Sequence, residues 1–395
     1  MRRYTSRLAI TVALLLGFSG TSVPLVAQQI PEQILTRADA TYPIEFSSIR
    51  GLLELPDGKV LLSDGIDETL LRFSMAGGKI DTIGRAGQGP GEYKGPDLLF
   101  SISNGGVVLL DLGNGRLTMF DRDLKYRDSK SIARGSPREG LMMIIPRATD
   151  ARGGIYFEHA AFGPGGGGRP DSSQIIRYDP TTEAFDTVAA VKRENVKVST
   201  SGSAQNRSVS MRSIPFSPRD AWAVAQDGRI AIARAAEYRL EWVTPARAPR
   251  VGPANTWRPV PIKQAEKLEW VGQSSDGVSI AVSNNNGQMS VTMRRGGMRM
   301  GGSAPPDTEN QDWPEAKPPF VTNGVWVSPA SEAWVERSVP AGSGRVFDIF
   351  GANGTLTRRV VLPEGRRLMG FGKGVIYTRR STEDDLQILE RFRLP

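Results

Sequence analysis

The sequence predicts an all-β fold, a six-bladed β-propeller in which each blade is a four-stranded antiparallel sheet. A small polar turn that leads into a short apolar strand and then a more polar strand occurs six times, with turns at 56–59, 104–106, 152–154, 226–229, 330–332 and 372–374. The repeat period of roughly 40–50 residues, made of strands and tight turns, is typical of propeller blades. The 395 residues include 44 Gly and 27 Pro, which favours many turns over long helices.

The N-terminus is predicted to be a secretory signal that precedes the fold. Arg2, Arg3 and Arg7 come before an apolar run at 8–18, and small residues then lead to Ala27, near which we expect cleavage. The apolar run is shorter than the about 20 residues that a membrane-spanning helix needs, so no stable membrane insertion is expected after cleavage. The chain has no cysteine. Export without disulfides indicates a bacterial protein of the periplasm or the medium.

After the signal at 1–27, residues 28–395 are predicted to form a single propeller domain, and strands can be assigned blade by blade. Short apolar or alternating runs between Gly-, Asp- and Asn-containing turns are typical of antiparallel strands. The predicted strands are 49–55, 60–63, 70–74 and 80–84 in blade 1; 98–103, 107–111, 117–121 and 126–132 in blade 2; 142–148, 155–158, 175–179 and 185–191 in blade 3; 222–225, 230–234 and 238–243, with a poorly defined outer strand, in blade 4; 324–328, 333–336, 345–350 and 356–362 in blade 5; and 367–371, 375–378 and 386–392 in blade 6.

Blade 6 is one strand short when the chain ends. A closed ring leaves no sheet edge unpaired, so the missing outer strand must come from elsewhere in the chain. The unassigned segment near the other terminus is 29–46. We therefore predict that the mature N-terminus supplies the last strand of the C-terminal blade and closes the ring.

Four insertions interrupt the repeats. They are a Gly-rich loop at about 163–169, a Ser- and Arg-rich connection at 192–213, a short helix at 261–273, and a Met-, Gly- and Arg-rich segment at 294–317. In the helix, Ala265, Leu268 and Trp270 are spaced to form its apolar side.

Several segments resemble a known group of proteins. LPDGKV at 55–60, IGRAGQGPGEY at 83–93, AVAQDGRI at 223–230 and KPPF at 317–320 are similar to segments of exported bacterial six-bladed propellers of the NHL-like and TolB-like group. The resemblance extends over nearly all of the mature chain and implies a six-bladed fold and an exported location. It implies no activity, because the group has none in common. We interpret the glycine-rich loop as a tight turn between blades rather than as an anion-binding nest.

The common catalytic motifs are absent from the sequence. There is no Gly-x-Ser-x-Gly elbow, no His-Glu-x-x-His, no phosphate loop and no calcium-binding loop. The only histidine, His159, does not suffice for a histidine-rich zinc site. We therefore expect a protein that is not an enzyme and that needs no cofactor.

The net charge does not indicate nucleic-acid binding. The formal charge of +8 includes the three arginines of the signal, and the mature chain keeps 47 basic and 42 acidic residues. This surplus is ordinary, and the basic residues form no stripe with interleaved aromatic residues. Nucleic acid is accordingly excluded as an expected partner.

One set of polar residues recurs at the same place in the repeats. The sixth residue after each turn glycine, or its counterpart in blades 5 and 6, lies at the end of the second strand, and we predict a ligand-binding rim formed by Asp64, Asp111, His159, Arg234, Arg337 and Arg379. Strand residues two apart share a face, so these side chains follow apolar ones that pack between blades. Such a rim would orient a zwitterionic or polar ligand. The alternative is that the six residues brace neighbouring blades.

Two functions follow. The first is an exported recognition module that binds a protein, peptide or glycan at a loop-bearing face. The alternative is a metal-dependent hydrolase or lactonase in the propeller funnel, with Ca²⁺ or Mg²⁺ held by the oxygens of Asp64, Asp111 and Glu158. The alternation of side chains along a strand argues against this alternative. Glu158 is one residue out of register with the two aspartates, so its side chain is expected to face away from them. A quinone-dependent dehydrogenase would have to rely on His159 alone as its base.

Overall fold

The chain folds as a ring of six four-stranded antiparallel sheets, so the predicted fold class is confirmed. The computed structural model describes residues 30–136, 140–159, 170–201, 208–274, 278–285, 288–295, 308–309 and 311–394. The predicted signal, the Gly-rich loop at 163–169 and most of the insertion at 294–317 lie outside the described residues.

The chain starts with two strands that join the last two blades and then builds blade 1. These strands are β1 (Glu32–Ile34), β2 (Ala40–Phe46), β3 (Ile49–Glu54), β4 (Val60–Asp64), β5 (Thr69–Phe73) and β6 (Asp81–Thr82). The loop that crosses to blade 2 contains two short parallel strands, β7 (Arg85–Ala86) and β8 (Glu92–Tyr93).

Blades 2 and 3 follow, with a hairpin between them. Blade 2 comprises β9 (Pro96–Ser101), a 3₁₀ turn at Ser103–Gly105, β10 (Val107–Asp111), β11 (Arg116–Phe120) and β12 (Tyr126–Ser131). The hairpin is formed by β13 (Ala133–Ser136) and β14 (Gly140–Met143). Blade 3 comprises β15 (Pro146–Thr149), β16 (Ile155–His159), β17 (Ser172–Tyr178) and β18 (Phe185–Lys192).

Blade 4 lies between two longer connections. The first contains the hairpin of β19 (Val196–Ser201) and β20 (Ser208–Ser213). Blade 4 comprises β21 (Ala221–Val224), β22 (Ile230–Arg234), β23 (Arg239–Val243) and β24 (Arg250–Val251). The second connection contains β25 (Val260–Pro261), α1 (Gln264–Ser274), β26 (Val278–Asn285), β27 (Gln288–Arg295) and β28 (Ala316–Lys317), and β25 pairs with β28 at its base.

The last two blades complete the ring. Blade 5 comprises β29 (Phe320–Val327), β30 (Ala333–Arg337), β31 (Val346–Phe350) and β32 (Leu356–Val361). Blade 6 comprises β33 (Arg367–Gly372), β34 (Val375–Ser381) and β35 (Gln387–Arg393).

The N-terminal strand closes the ring as predicted. Strand β2 pairs antiparallel with β35 and is the outer strand of blade 6. Its Tyr42 is buried, with the ring centroid 4.1 Å from that of Phe73 in blade 1. The sequence did not reveal a second contact of the N-terminus, in which β1 adds in parallel to β32 as a fifth strand of blade 5. The first described strands therefore join blades 5 and 6 from outside.

The hydrophobic core lies between the blades rather than inside any one of them. Along β4, Val60 and Leu62 pack in a cluster with blade 6, whereas Leu61 packs in another cluster with blade 2. Successive strand residues point to opposite faces of a sheet, so one apolar strand supplies two interfaces. The apolar second strands of the repeats thus occupy the most buried place in the ring.

The glycine-rich loop at 83–93 is a tight turn between blades, as predicted. Glu92 accepts hydrogen bonds from Arg85 Nε at 2.7 Å and from the backbone N–H of Gly89 at 2.8 Å. Arg116 of blade 2 donates to three carbonyl groups of the loop, those of Gln88, Gly89 and Glu92. A carboxylate and a guanidinium of the protein therefore hold this loop.

Candidate functional site

The longest connections of the ring leave from one face, which we call the decorated face. In an antiparallel blade, the loop between the second and third strands and the connection from the fourth strand to the next blade emerge at the same end. The longest connections belong to these two kinds and lie around blades 3, 4 and 5, at 132–145, 160–171, 193–220 and 252–319. A ligand site formed by loops is therefore expected on this side.

A cavity of about 500 Å³ lies on the decorated face beside blade 5. Its volume is in the range of about 300–1,000 Å³ that small-molecule sites occupy. The walls come from the connection between blades 3 and 4, from α1, and from β28, β29 and β30. Its aromatic lining is Phe216, Trp270 and Phe320, and its charged lining is Glu194, Arg219, Glu269, Lys317, Glu336, Arg337 and Arg345.

Helix α1 is held over the cavity by polar contacts. The buried Glu266 accepts hydrogen bonds from the backbone N–H groups of Lys263 at 3.0 Å and Ala341 at 3.1 Å. Burial alone would raise the pKa of Glu266, but these hydrogen bonds outweigh it and hold the pKa below its usual value. On the cavity side, buried Lys317 Nζ donates to Glu269 Oε2 at 3.0 Å and to the carbonyl oxygen of Val339 at 2.9 Å.

The apolar side predicted for this helix was wrong. Ala265 is exposed and Leu268 is 59% exposed, whereas Glu266 is buried. Periodicity places the apolar residues together on one face, but here the helix docks through a carboxylate that bonds backbone N–H groups. Trp270 of the predicted set does line the cavity.

Aromatic rings form one wall of the cavity. The rings of Trp270 and Trp313 meet edge to face with centroids 5.5 Å apart, and Phe216 lies 6.1 Å from Trp313. Lys317 Nζ lies 5.4 Å from the centre of the Phe216 ring. The wall therefore offers flat apolar surface next to fixed charge, which suits a ligand with an apolar body and a polar end.

Two charged residues that line the cavity, Glu336 and Arg345, form an ion pair with each other. Glu336 of β30 is buried, and burial raises the pKa of its carboxyl group although Arg345 opposes the change. Arg345 Nη1 donates a hydrogen bond to Glu336 Oε1. Since each group compensates the other, this pair contributes shape and polarity more than free charge.

Arg337 is the least tightly held of the basic lining residues. Its Nε lies 3.7 Å from Asp348 Oδ2, whereas the ion pairs of Arg219 and Lys317 measure 2.9–3.0 Å. Asp348 is shared, because it also accepts hydrogen bonds from Arg359 Nε at 2.8 Å and from Tyr238 Oη. Arg337 is therefore the cation best placed to exchange its weak protein contact for a ligand anion.

Three of the other predicted rim residues, Asp64, Asp111 and Arg234, have side-chain contacts within the protein. Asp64 is buried and accepts hydrogen bonds from the backbone N–H groups of Ser48, Ile66 and Asp67 at 3.0–3.1 Å. Its carboxylate closes the loop between the second and third strands and ties that loop to the entry of the inner strand. Of the six predicted residues, Arg337 is the one that lines the cavity.

Asp111 and Arg234 take similar places in blades 2 and 4. Asp111 accepts hydrogen bonds from the Lys94 backbone N–H at 2.8 Å and from two side chains, and its burial raises the pKa of the carboxyl group despite them. Arg234 donates to Asp220 at 2.8 Å and to Glu241 at 2.8 Å. Blade 4 thus has an arginine on the second strand and an acid before the inner strand, whereas blades 1 and 2 have the acid on the second strand and a backbone N–H group before the inner strand.

His159 ends β16 and is partly buried, and burial lowers the pKa of its imidazole. Its position as a rim residue stays a prediction. Glu158, its neighbour, contacts Arg219 and Trp222 beside blade 4, which agrees with the prediction that it faces away from Asp64 and Asp111.

The alignment of blade 6 was one residue off. The left-handed turn residue equivalent to Gly58 (φ 76°) is Gly374 (φ 69°), and the sixth residue after it is Arg380 rather than Arg379. Arg379 shares a strand face with Tyr377, which packs toward blade 1. Arg380 pairs with Glu390 at 3.2 Å. The turn contains two glycines, and their order of backbone conformations is not visible in the sequence.

Neither a metal centre nor a membrane span is found in the part of the chain that the structure describes. No group of three or more His, Asp or Glu side chains there is arranged to hold a metal ion. Along the same residues, no helix has the length and apolar character that crossing a bilayer requires.

No protein-family model and no curated protein sequence matches the chain. Distant likenesses exist among solved structures. A gluconolactonase from Xanthomonas campestris is 12% identical over 91% of this chain and 94% of that chain, with a TM-score of 0.41. The PQQ-bound aldose sugar dehydrogenase of Streptomyces coelicolor is 12% identical over 90% and 96%, with a TM-score of 0.44. Regucalcin, a calcium-binding protein of Agrobacterium tumefaciens, is 10% identical over 92% and 97%, with a TM-score of 0.36.

Proposed function

We propose that the protein is a recognition module that binds, in the cavity beside α1, a ligand carrying a carboxylate next to an apolar group. The C-terminus of a peptide is the ligand class that fits. Its carboxylate would meet Arg337, its last side chain would lie against Trp270 and Phe216, and the rest of the peptide would leave through the decorated face.

The loose ion pair of Arg337 is the observation that supports this proposal most. A guanidinium 3.7 Å from a shared carboxylate, in a partly enclosed cavity with aromatic walls, gains more from a ligand carboxylate than from its present partner. The lining is otherwise paired within the protein, so shape and one charge would decide which ligand fits.

Calorimetric titration of the mature protein with a short acetylated peptide ending in leucine tests the proposal. The same peptide with an amidated C-terminus is the matched ligand control. We expect the acid to bind about tenfold or more tightly than the amide, because only the acid offers a bidentate partner to Arg337. Glucuronate, a carboxylated sugar, tests the glycan class.

Two variants test whether Arg337 causes the preference for the peptide acid over the amide. Arg337→Gln should bind acid and amide equally, whereas Arg358→Gln, which loses an ion pair to Glu332 on the outer part of blade 5, should keep the preference. Equal binding of acid and amide by the unaltered protein, or no binding of either, would contradict the proposed function. Preference for glucuronate over the peptide would replace the peptide by a glycan.

A metal-dependent hydrolase or lactonase is the second candidate, and the names of the distant structural neighbours fit it better than they fit a binding module. Its proposed oxygen ligands are occupied by protein groups, with Asp64 and Asp111 accepting backbone N–H donors and Glu158 accepting from two arginines. A thermal midpoint that rises with Ca²⁺ or Mg²⁺, together with hydrolysis of a lactone, would favour the enzyme.

Export to the periplasm or the medium, and membership of the NHL-like and TolB-like group, are part of the same proposal. The first described strand begins at Glu32, five residues after the expected cleavage near Ala27. N-terminal sequencing of protein recovered from a bacterial periplasmic extract should start close to Gln28. A chain that still starts at Met1 would contradict export by this signal.

A further inference from the structure

A second cationic site, separate from Arg337, lies where the inner strands of blades 3 and 4 meet. Strand β15 has a register slip between Pro146 and Ala148, so Arg147 is an extra residue opposite β16. A β-bulge bends its strand and re-aims the side chain of the extra residue. Here the side chain leans toward blade 4, and its guanidinium lies 4.8 Å from the centre of the Trp222 ring.

The nearest carboxylate is already saturated by other donors. Glu158 accepts from Ser173 Oγ at 2.5 Å, from Arg219 Nη2 at 3.0 Å and from Trp222 Nε1 at 3.2 Å. Arg147 reaches it last, with Nη1 3.4 Å from Oε2, which is long for a charge-assisted hydrogen bond. Arg219, Ser173, Arg147 and Trp222 together hold the pKa of Glu158 below its usual value although burial alone would raise it.

Arg147 is therefore a partly buried cation with one long ion pair. Its side chain is 22% exposed, and among described residues this single long hydrogen bond is the one it makes. Arg219 by contrast bonds two carboxylates, those of Glu158 and Glu194. Burial lowers the pKa of Arg147 to about 10, and Glu158 offsets that effect only in part. Five N–H donors in a planar fork suit an oxyanion.

We propose that Arg147, stacked on Trp222, is an anion-binding site at the inner edge of blades 3 and 4 that takes a carboxylate or phosphate group. The aromatic face fixes the plane of the guanidinium, and the bulge turns its unused donors away from the sheet ladder. Arg219 lines the cavity beside α1 and also contacts Glu158, so it lies between the two sites. This site is independent of the proposed peptide function.

The test uses acetate and inorganic phosphate as separate probes of the mature protein in a buffer free of chloride. Both the thermal midpoint and calorimetric titration are measured, because an anion that binds the native state raises the midpoint. A larger response to acetate assigns the site to carboxylates, and a larger response to phosphate assigns it to phosphoryl groups.

Arg147→Gln should weaken the bound anion by about tenfold or more, since it removes the charge and the fork while keeping a polar side chain. Arg147→Lys keeps the charge without the planar fork. Its affinity for the anion should lie between the affinities of the unaltered protein and of Arg147→Gln. Arg152→Gln, in an exposed turn at the opposite end of blade 3, is the control that should bind as the unaltered protein does.

Arg337→Gln separates this site from the cavity. Because the cavity is itself proposed to bind a carboxylate, anion binding is measured in Arg337→Gln: if it persists there and is removed when Arg147→Gln is added, the anion site is Arg147, whatever the outcome for the peptide. Binding that is equal in the unaltered protein and Arg147→Gln, or that is lost with Arg337→Gln alone, would overturn the assignment. Absence of any response to both anions in the unaltered protein would overturn it as well.

Discussion

Two arcs of the ring use the same strand ends in different ways. In the plain arc, formed by blades 6, 1 and 2, Asp64 and Asp111 are buried and bonded to backbone N–H groups, and Arg380 of blade 6 is paired with Glu390. In the decorated arc, formed by blades 3, 4 and 5, long connections extend from the face and arginines take the equivalent positions in blades 4 and 5. Among the contacts of described residues, Arg337 of this set and Arg147 of the bulge in β15 make only long polar contacts.

The polar side chains of the two arcs differ in how many hydrogen bonds they can still form. A buried carboxylate with several backbone donors has no remaining capacity for a ligand and serves to fix two chain segments. An arginine with one long contact in a recess has donors to spare, and it persists because the surrounding packing holds it. The plain arc therefore holds its acids in internal contacts, and the decorated arc is where the proposed binding sites lie.

The largest effect should come from the strand that closes the plain arc. Tyr42→Ala removes a buried ring that packs on Phe73, and we expect a loss of about 3–5 kcal/mol in the free energy of unfolding. Phe185→Ala removes a 41% exposed ring from the outer strand of blade 3 and should cost about 1 kcal/mol. Urea unfolding measures both, and equal losses would remove the distinction between the arcs.

Asp64→Ala should have the next largest effect. It leaves the backbone N–H groups of Ser48, Ile66 and Asp67 without their acceptor, and we expect a loss of about 2–3 kcal/mol. The control is Asp57→Ala in an exposed turn at the other end of the same blade, where a surface ion pair to Arg72 should matter by less than about 1 kcal/mol. A loss for Asp64→Ala as small as that of its control would show that the brace is dispensable.

Lowering the pH should change the contributions of two carboxylates to the free energy of unfolding in opposite directions, Glu158 in the decorated arc and Asp111 in the plain arc. Because the pKa of Glu158 is lowered, its stabilising contribution is present above pH 4.5 and is lost as pH falls through its folded-state pKa. Because the pKa of Asp111 is raised, protonation on the way down to pH 3.8 favours the folded state. Each unit of difference corresponds to about 1.4 kcal/mol.

The matched variants show this in urea unfolding at pH 7 and pH 3. Glu158→Gln should lose less stability between the two pH values than the unaltered protein, and Asp111→Asn should lose more. The same slope for all three proteins would mean that neither carboxylate has a shifted pKa in the folded state.

The smallest stability change is expected at Arg337. Its ion pair is long, and Asp348 keeps its hydrogen bonds from Arg359 and Tyr238 without it, so Arg337→Gln should change the free energy of unfolding by less than about 1 kcal/mol while abolishing the preference for a peptide acid over its amide. Urea unfolding and calorimetry together check both parts. A loss as large as that of Asp64→Ala would place Arg337 among the braces.

The ring was predictable from the sequence because its signal is local and repeated. Each blade places a left-handed turn residue before an apolar strand, as Gly58 and Gly228 show, and only the order of neighbouring residues is needed to see it. The closing role of β2 followed from counting strands. The docking of the helix through Glu266 could not be predicted in this way. Its partner Ala341 is 75 residues away, and the spacing of apolar residues along a helix carries no information about such a contact.

The sequence by itself determined the number of blades and the closure by the N-terminus, since side-chain alternation and turn conformation act over a few residues. The tertiary structure decided which polar residues are occupied and which retain free donors. Charged groups whose partners lie on other strands, such as Arg147 with Trp222 of the next blade and Arg337 with Asp348 of the adjacent strand, acquire those partners and their burial only when the chain has folded. Whether a charged side chain can bind a ligand depends on how closely other protein groups already contact it. These groups are far apart in the sequence, and the sequence does not give the distances between them in the fold.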